Sequence, residues 1–325
     1  MPELTEFAGL SVVEFPASGT EEERIKQIRG QGGDPHAPAS TAWRLRYDGE
    51  VIEEYVARFL SLVDAEQVRA LVIGDWDAAA GGPEEFLLSL VEHAGSLPNL
   101  RSVFVGDITS DECELSWISQ GDVAPLLAAF PRLEELTTKG ADGVDGTLQL
   151  HVPSHEALRS LTLQSGGLPG RIAREVVSSG LPALEHLELW LGMEDYGGST
   201  TPQDLAPVLS GGVFPRLRYL GVRNAQKLDE WIPALAGAPV VKRVEVLDLS
   251  LGCLTDRGGQ VLLDRADAFA GLRGLDLLSH HFLSEEMEER LYDEFDGLGV
   301  DVDLSDRQEP EEYAESLWYY TAAAE

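Results

Sequence analysis

A recurring spacing of leucines constrains this chain more than any other feature, and LEHLELWLG (residues 184–192) shows it most clearly. Leu184, Leu187 and Leu189 stand at the first, fourth and sixth places, and polar residues fill most places between them. Copies of the spacing start at Val68, Leu100, Leu133, Leu158, Leu184, Leu217, Val244 and Leu272. The shortest interval between successive starts is 25 residues, after Leu133, and the longest is 33, after Leu100 and again after Leu184. A period of this length indicates one supersecondary unit per repeat.

A second signature, apolar–Pro–x–Leu, precedes four of these starts. Its copies are Leu97-Pro98-Asn99-Leu100, Phe130-Pro131-Arg132-Leu133, Leu181-Pro182-Ala183-Leu184 and Phe214-Pro215-Arg216-Leu217. Proline ends a helix and pushes the preceding residue into an extended conformation, so each copy marks the approach to a strand. We expect one earlier strand at AWRLR, with Leu45 equivalent to Leu71, and a last one at VDVDL, which ends at Leu304.

The segments between these strands have one apolar face at helical spacing. Helices are therefore predicted in VIEEYVARFLSLV, PEEFLLSLVEHAG, DVAPLLAAF, RIAREVVSS, DLAPVLS, DEWIPALAG, GGQVLLDRA and SEEMEERLYDEF. Repeated strand–helix units stack as a parallel sheet flanked by helices, because no unit can bury its apolar face alone. The predicted fold class is an α/β leucine-rich-repeat solenoid, a horseshoe of about nine to ten rungs with the sheet on its concave side and the helices on its convex side.

Three segments follow from the extent of the repeats. Residues 1–41 are predicted to form an N-terminal cap and loop, residues 42–305 the repeat domain, and residues 306–325 an acidic tail that ends in aromatic residues. The cap would use Phe7, Leu10, Val12, Val13 and Phe15. We expect the acidic stretch 305–316 to be disordered. For the aromatic end two interpretations stay open: it folds back as a C-terminal cap, or it is a docking motif or the target of another enzyme.

Charge is the main compositional constraint on partners. The chain has 24 basic and 57 acidic residues, a formal net charge of −33. Such a surface repels nucleic-acid phosphates and anionic membranes, so neither is an expected partner. A basic protein, a cationic ligand or simple solubility remain as explanations of the charge, and solubility alone accounts for most of the acidic residues. The start MPELTEFAGL lacks the pattern of a secretory signal, and two distant cysteines, Cys113 and Cys253, form no disulfide framework. These features predict a cytoplasmic protein.

Strand side chains alternate between faces, so places three, five and seven should point to the concave side if places four and six face the core. The fifth places read Val72, Phe104, Thr137, Thr162, Glu188, Gly221, Asp248, Asp276 and Asp303. Carboxylates on adjacent strands, about 4.8 Å apart, either attract a cation or have a raised pKa. We therefore predict a binding surface for a basic partner, made of Glu188, Trp190, Tyr219, Arg223, Asp248, Asp276 and Asp303. The alternative is a solvated polar face without a ligand.

Long loops and the tail are further candidate surfaces. The loops GDWDAAAGG and GDITSDECELSWISQGD carry Trp76 and Trp117, and the tail carries Trp318, Tyr319 and Tyr320. Aromatic residues on loops of a rigid scaffold often bind partners. The alternative for the loop tryptophans is that they tuck over the edge of the sheet.

Catalytic motifs are absent from the sequence. It contains no Cys-x-x-Cys, HExxH, GxxxxGK[ST] or GxSxG. The loop ADGVDGT, with Asp142 and Asp145, lacks the alternating ligands of a calcium loop and is read as a turn. We expect no catalytic residues, no cofactor and no metal.

The repeats resemble the leucine-rich-repeat superfamily, nearest in unit length to its ribonuclease-inhibitor-like class. RALVIGDW, GDITSDECELSWISQGDVAPLLAAFP, LPALEHLELWLG and VEVLDLSLG are also similar to a family of bacterial cytoplasmic leucine-rich-repeat proteins of unassigned function. Members of that family are often encoded beside radical-SAM-like and ATP-grasp-like enzymes, which implies a partner or substrate role. The asparagine or cysteine usual at the ninth place is missing; Ala225, for example, stands there.

Two functional hypotheses result. The first is a non-enzymatic protein-binding scaffold that uses the concave face and the long loops between strands and helices. The second is a substrate or carrier protein whose C-terminal tail is recognised or modified by a companion enzyme.

Overall fold

A computed structural model of the chain describes residues 2–79, 81–142, 146–277, 280–313 and 316–323. The chain forms two compact units, Met1–Leu161 and Thr162–Glu325. Asp145, in the turn predicted near residue 142, lies outside the described residues. Both units combine strands and helices, which confirms the α/β class.

Strands occur at every predicted repeat. Their bounds are β1 Glu6–Phe7, β2 Leu10–Glu14, β3 Thr41–Leu45, β4 Ala70–Gly74, β5 Ser102–Asp107, β6 Glu135–Lys139, β7 Ser160–Gln164, β8 His186–Gly192, β9 Tyr219–Ala225, β10 Val246–Asp248, β11 Gly274–Asp276, β12 Asp301–Asp303, β13 Glu311–Tyr313 and β14 Ser316–Trp318. Strands neighbour one another in chain order, β1 to β6 in the first unit and β8 to β12 in the second. Strand order of this kind, with mostly parallel pairing, fits a repeat solenoid.

Helices fill the intervals, and all eight segments predicted as helical contain one. The bounds are α1 Glu21–Gly30, α2 Ile52–Leu62, α3 Glu84–Glu92, α4 Ala124–Ala129, α5 Gly170–Ser178, α6 Ala206–Leu209, α7 Leu228–Ala236, α8 Asp256–Asp264 and α9 Glu285–Leu298. Helix α9 shows why the ends fall where they do. Ser284 accepts a hydrogen bond from Met287 N at the start, and Gly299 adopts a left-handed conformation just past the end. Among the described residues, no helix combines the length and the apolar character needed to cross a bilayer.

The fourth and sixth places form the core, as predicted. Leu187 and Leu189 on β8, and Leu220 and Val222 on β9, are completely buried. Burial of each such side chain stabilises the fold by about 1.5–3 kcal/mol relative to exposure. The opposite sheet face, which carries places three, five and seven, is called the odd-place face below.

One predicted alignment is wrong by two residues. Trp43, not Leu45, pairs with Leu71, and Leu45 pairs with Ile73. A shift of two keeps the same residues on the same face, because side chains alternate with a period of two. Both Trp43 and Leu45 are therefore buried despite the wrong alignment.

The N-terminal residues cover part of the odd-place face of the first unit. Strand β1 pairs with β2 in antiparallel orientation, and β2 is the parallel neighbour of β3. Phe7 packs edge-to-face on Phe104 of β5, with ring centroids 5.8 Å apart. The apolar cluster comprises Phe7, Ala42, Ala70, Val72 and Phe104. The apolar fifth places of this unit are thus buried by the start of the chain.

The C-terminal residues are ordered, so the prediction of disorder for residues 305–316 is wrong for the described part. Strands β13 and β14 form a separate antiparallel pair in which Glu312 faces Leu317. Residues after β14 contact the repeats of the second unit, where Ala322 N donates to Leu251 O at 3.0 Å.

Candidate partner-binding site

The fifth places of the second unit lie side by side, as the repeat alignment predicts. Glu188 pairs with Gly221, Gly221 with Asp248, Asp248 with Asp276, and Asp276 with Asp303. These five positions are called the acidic row. Gly221 leaves room in it, because a Cβ there would lie 3.1 Å from Glu188 Cγ and from Tyr219 Cε1.

The inner end of the row is the part from Glu188 to Asp248, and the outer end is at Asp303. Arg223, at a seventh place on β9, supplies the positive charge that balances the inner end. Its Nη1 donates to Glu188 Oε1 at 2.7 Å, and its Nε lies 3.3 Å from Asp248 Oδ2. The same Nε donates to Ser250 Oγ at 2.9 Å. One guanidinium therefore bridges two carboxylates from neighbouring repeats, an arrangement that suits the planar fork of arginine.

Aromatic side chains complete this network. Tyr219 OH donates a short hydrogen bond to Asp248, and its ring stacks on His186 with centroids 3.9 Å apart. Trp190 Nε1 donates to Glu188 Oε1 at 2.6 Å. The guanidinium of Arg223 sits 5.3 Å from the centre of the Trp190 ring, within cation–π range.

The pKa values of the network report its balance of charge. Burial by itself raises the pKa of Glu188, but the hydrogen bond with His186 and the charge of Arg223 outweigh burial and lower that pKa to about 2. Burial and the two nearby carboxylates raise the pKa of Tyr219. Burial alone lowers the pKa of Arg223, and the charges of Glu188 and Asp248 reverse this effect and raise it. At neutral pH Glu188 is therefore a carboxylate, Arg223 a guanidinium and Tyr219 a neutral phenol.

Three of the residues predicted to bind a partner lie inside this network. Glu188, Trp190 and Asp248 are only 7, 6 and 4% exposed. Glu188 bonds to Trp190 and Arg223, whereas Asp248 bonds to Tyr219 and Arg223. Tyr219 and Arg223 are half-buried at the margin of the network.

The outer end of the acidic row faces solvent. Asp303 is exposed, Asp276 is half-buried, and Asp301, two residues before Asp303, is exposed as well. Asp303 Oδ1 accepts a hydrogen bond from Ser305 N at 3.0 Å, which fixes its direction. Asp276, Asp301 and Asp303 are called the acidic strip below.

The loop tryptophans separate into two environments. Trp76 is buried, and its Nε1 donates to Gly81 O within the same loop at 2.9 Å, which corresponds to the tucked alternative. Trp117 is 64% exposed. Of the two, only Trp117 can contact a partner without rearrangement.

The tail residues divide in a similar way. The rings of Trp318 and Tyr320 are exposed and stack with centroids 6.4 Å apart. Tyr319 instead packs edge-to-face on Phe282, with centroids 4.9 Å apart.

Two arrangements were not visible in the sequence. In the first unit, Arg44 Nε donates to Asp107 Oδ2 at 2.8 Å, and both side chains are buried beneath the N-terminal residues. In the second unit, Asn224 bonds to the backbone of Ala323. Asn224 stands one place before the ninth place, where leucine-rich repeats usually carry asparagine. An asparagine one position away from the usual place was the available sequence signal for a side chain that bonds to backbone groups here.

Comparison with solved structures finds proteins of similar fold. The crystal structure of a protein from Bacteroides fragilis is similar to this chain, with a TM-score of 0.73 and 29% sequence identity. The match covers 86% of this chain and 77% of that chain. No family model matches the chain, and none of the curated proteins matches it. The likeness supports a shared α/β repeat-like architecture.

Proposed function

We propose that the chain is a non-enzymatic scaffold of the leucine-rich-repeat class that binds a basic protein segment at the acidic strip. In this proposal the repeats form a horseshoe of about nine to ten rungs, with the sheet concave and the helices convex, in a cytoplasmic protein. The observation that carries the proposal is the contrast along the acidic row. Arg223 balances Glu188 and Asp248 at the inner end, whereas Asp303 and Asp301 are exposed at the outer end.

The surroundings of the strip favour a cationic ligand. Carboxylates on neighbouring strands, about 4.8 Å apart, repel one another, and an arginine or lysine placed between them removes that repulsion. The half-buried rings of Tyr219 and His186 lie stacked on the same face, two and three strands from Asp276. A guanidinium can bind an aromatic face as well as a carboxylate, so a basic segment can use both.

Preorganisation supports binding at this face. The hydrogen bonds of Arg223, Trp190 and Ser250 fix the inner network before any partner arrives. A surface whose side chains are already ordered loses less conformational entropy on association.

Charge reversal tests the proposal. In the double variant Asp301→Lys/Asp303→Lys, affinity for a basic partner captured from the native host should fall at least about tenfold, equal to about 1.4 kcal/mol. The affinity of the wild-type protein should also weaken as salt rises. Asp248 is unsuitable for reversal, because a lysine there would stand beside Arg223 inside the network.

The matched control is Glu286→Lys/Glu289→Lys on α9, which changes the net charge by the same amount at exposed positions. The captured partner should bind this control within about twofold of the wild-type affinity. Equal partner affinity for wild-type protein and the Asp301/Asp303 variant contradicts the proposal.

A second function is favoured by a separate observation. Leu317, Trp318 and Tyr320 are exposed on and after the β13–β14 hairpin, which suits a tail that is recognised or modified by a companion enzyme. Intact-mass analysis of protein from the native host, followed by peptide mapping, tests this alternative. A mass shift that maps to residues 306–325 supports it, and an unmodified mass in the presence of the companion enzyme contradicts modification.

A further inference from the structure

Four non-glycine residues at or after strand ends of the second unit have backbones in the left-handed region. The φ angles are 54° at Asn224, 65° at Leu251, 82° at His280 and 66° at Asp306. Asn224 lies near the end of β9, and the other three follow β10, β11 and β12. Such conformations are strained for residues with side chains and persist where the surrounding structure requires them.

Three of these residues, Asn224, Leu251 and His280, contact the backbone of the tail. Asn224 Oδ1 accepts from Ala323 N at 3.0 Å, and Asn224 Nδ2 donates to Ala323 O at 2.6 Å. Leu251 O accepts from Ala322 N at 3.0 Å. His280 Nε2 forms a short hydrogen bond with Tyr320 O. The tail thus crosses the ends of β11, β10 and β9 in turn, and its main chain is bonded at each.

The side chains of the tail alternate between buried and exposed. Thr321 and Ala323 are 5 and 8% exposed, whereas Tyr320 and Ala322 are exposed. The backbone bends at residues 322 and 323, and only small side chains occupy the buried positions. The contacts therefore recognise main-chain groups of a segment with small residues two positions apart.

The fit of the tail itself is incomplete. Thr321 Oγ1 is buried and has no hydrogen-bond partner among the described residues. A buried hydroxyl without a hydrogen-bond partner is destabilising. A segment with an apolar small residue at this position would avoid that destabilisation, so the tail can be displaced by a better ligand.

We propose that Asn224, Leu251 and His280 form a peptide-binding groove, and that residues 320–323 are its ligand bound in cis. The ligand class is a peptide with small side chains at alternate positions. The groove lies at the strand ends and involves none of the acidic strip, so it does not depend on the function proposed above.

A tail-expelled variant of the full chain provides the test. Ala323→Arg places a long charged side chain at a buried small position, which should remove residues 320–323 from the groove. Amide hydrogen exchange over residues 316–323 should then rise at least tenfold. Tyr319 and Cys253 line the same cavity of about 330 Å³. Alkylation of Cys253 in a Cys113→Ser background should therefore accelerate too.

The freed groove should accept the same segment in trans. A fluorescent peptide with the sequence of residues 316–325 should bind the Ala323→Arg chain saturably. It should bind the wild-type chain at least tenfold more weakly, because the tethered tail competes at high effective concentration. Thr321→Arg is a second tail-expelled variant and should give the same result.

Adding Asn224→Gly to the Ala323→Arg chain distinguishes an effect on peptide binding from an effect on folding. Glycine tolerates the left-handed backbone but lacks the amide, so peptide binding should be lost while the circular dichroism spectrum is kept. The matched control is Asp77→Gly, another left-handed position (φ 69°) in the first unit, which should leave peptide binding unchanged.

Three results overturn the proposal. One is an amide hydrogen-exchange rate of the tail that is the same in the Ala323→Arg and Thr321→Arg chains as in the wild-type chain. Another is failure of the peptide to bind a chain whose tail has been released. The third is equal peptide affinity with and without Asn224.

Discussion

Replacement of Arg223 by methionine tests the inner network of the acidic row. Methionine keeps most of the apolar volume of the arginine stem but removes the guanidinium that contacts Glu188 and Asp248. Both carboxylates would then be buried without their cation. Removing one partner from a buried ion pair costs about 3–5 kcal/mol.

The expected magnitude lies at the lower end of that range. Arg223 is half-buried, so water can partly replace it, and the hydrogen bonds of Glu188 with Trp190 and His186 remain. The pKa of Glu188 gives an upper bound. The difference between its ordinary value of 4.5 and about 2 in the folded chain corresponds to about 3 kcal/mol for the hydrogen bond with His186, the charge of Arg223 and the hydrogen bond with Trp190 together. We expect Arg223→Met to lower the free energy of unfolding at pH 7 by about 3 kcal/mol.

The pH dependence follows from the direction of the Glu188 pKa. Because the folded-state pKa lies below the unfolded-state value, Glu188 stabilises the fold above about pH 4.5 and loses that contribution as the pH falls toward about 2. Arg223→Met removes part of the contribution only while Glu188 is charged. The stability difference between wild type and variant should therefore shrink between pH 6 and pH 3.5.

Urea unfolding monitored by tryptophan fluorescence at several pH values measures this difference. The control is Arg218→Met, since Arg218 is 68% exposed and its ion pair with Glu245 lies at the surface. We expect a loss within about 0.5 kcal/mol for this control. A loss below about 1 kcal/mol in Arg223→Met, or one that is constant from pH 6 to pH 3.5, refutes the reasoning.

Three further predictions concern other contacts. Tyr219→Phe removes the hydroxyl that donates to Asp248 and should lower the free energy of unfolding by about 1–3 kcal/mol in thermal or urea melts; an unchanged midpoint contradicts a buried bond. Phe7→Ala should cost about 3 kcal/mol and increase binding of a hydrophobic dye, because it uncovers the face around Phe104; wild-type dye binding would show that Phe7 does not cover that face. Burial and Asp229 raise the pKa of the Cys253 thiol to about 12. Iodoacetamide should therefore label half-buried Cys113 at least about tenfold faster than Cys253, and equal rates by peptide mass analysis contradict the buried environment.

The leucine spacing was sufficient to predict the strands and their register in the second unit. Leu187 and Leu189 are buried because the fourth and sixth places face the core, and the fifth places from Glu188 to Asp303 therefore align. Periodicity worked here because a one-residue slip would expose every leucine. The two-residue misalignment of Leu45 escaped this rule, since it keeps the same face.

Burial on the odd-place face could not be predicted from the same pattern. Alternation tells which face a side chain takes, but not whether neighbouring side chains cover it. Glu188 and Trp190 are buried because Arg223 and Tyr219, from the next repeat, bond over them. Whether such a side chain is buried depends on the complementary lengths and charges of side chains some 30 residues apart. The periodicity of the leucines carries no information about those lengths and charges.

Contacts made by the two chain ends were equally hidden. Asn224 and Ala323 are 99 residues apart in sequence, and nothing in the repeat places them together. Phe7 reaches Phe104 by a similar long-range contact. Non-repeating segments have no periodic partner, so their position follows only from the folded surface they meet.

Cross-linking of one cysteine pair tests the alignment of the acidic row most directly. In a chain with Cys113 and Cys253 replaced by serine, Asp276→Cys and Asp303→Cys would stand on adjacent strands, about 4.8 Å apart on one face. A bifunctional thiol reagent of that span should join residues 276 and 303 in high yield. It should join 276 poorly to a cysteine at Val302, which points to the other face. Efficient cross-linking to 302 and not to 303 would contradict the stacking of repeats in this register.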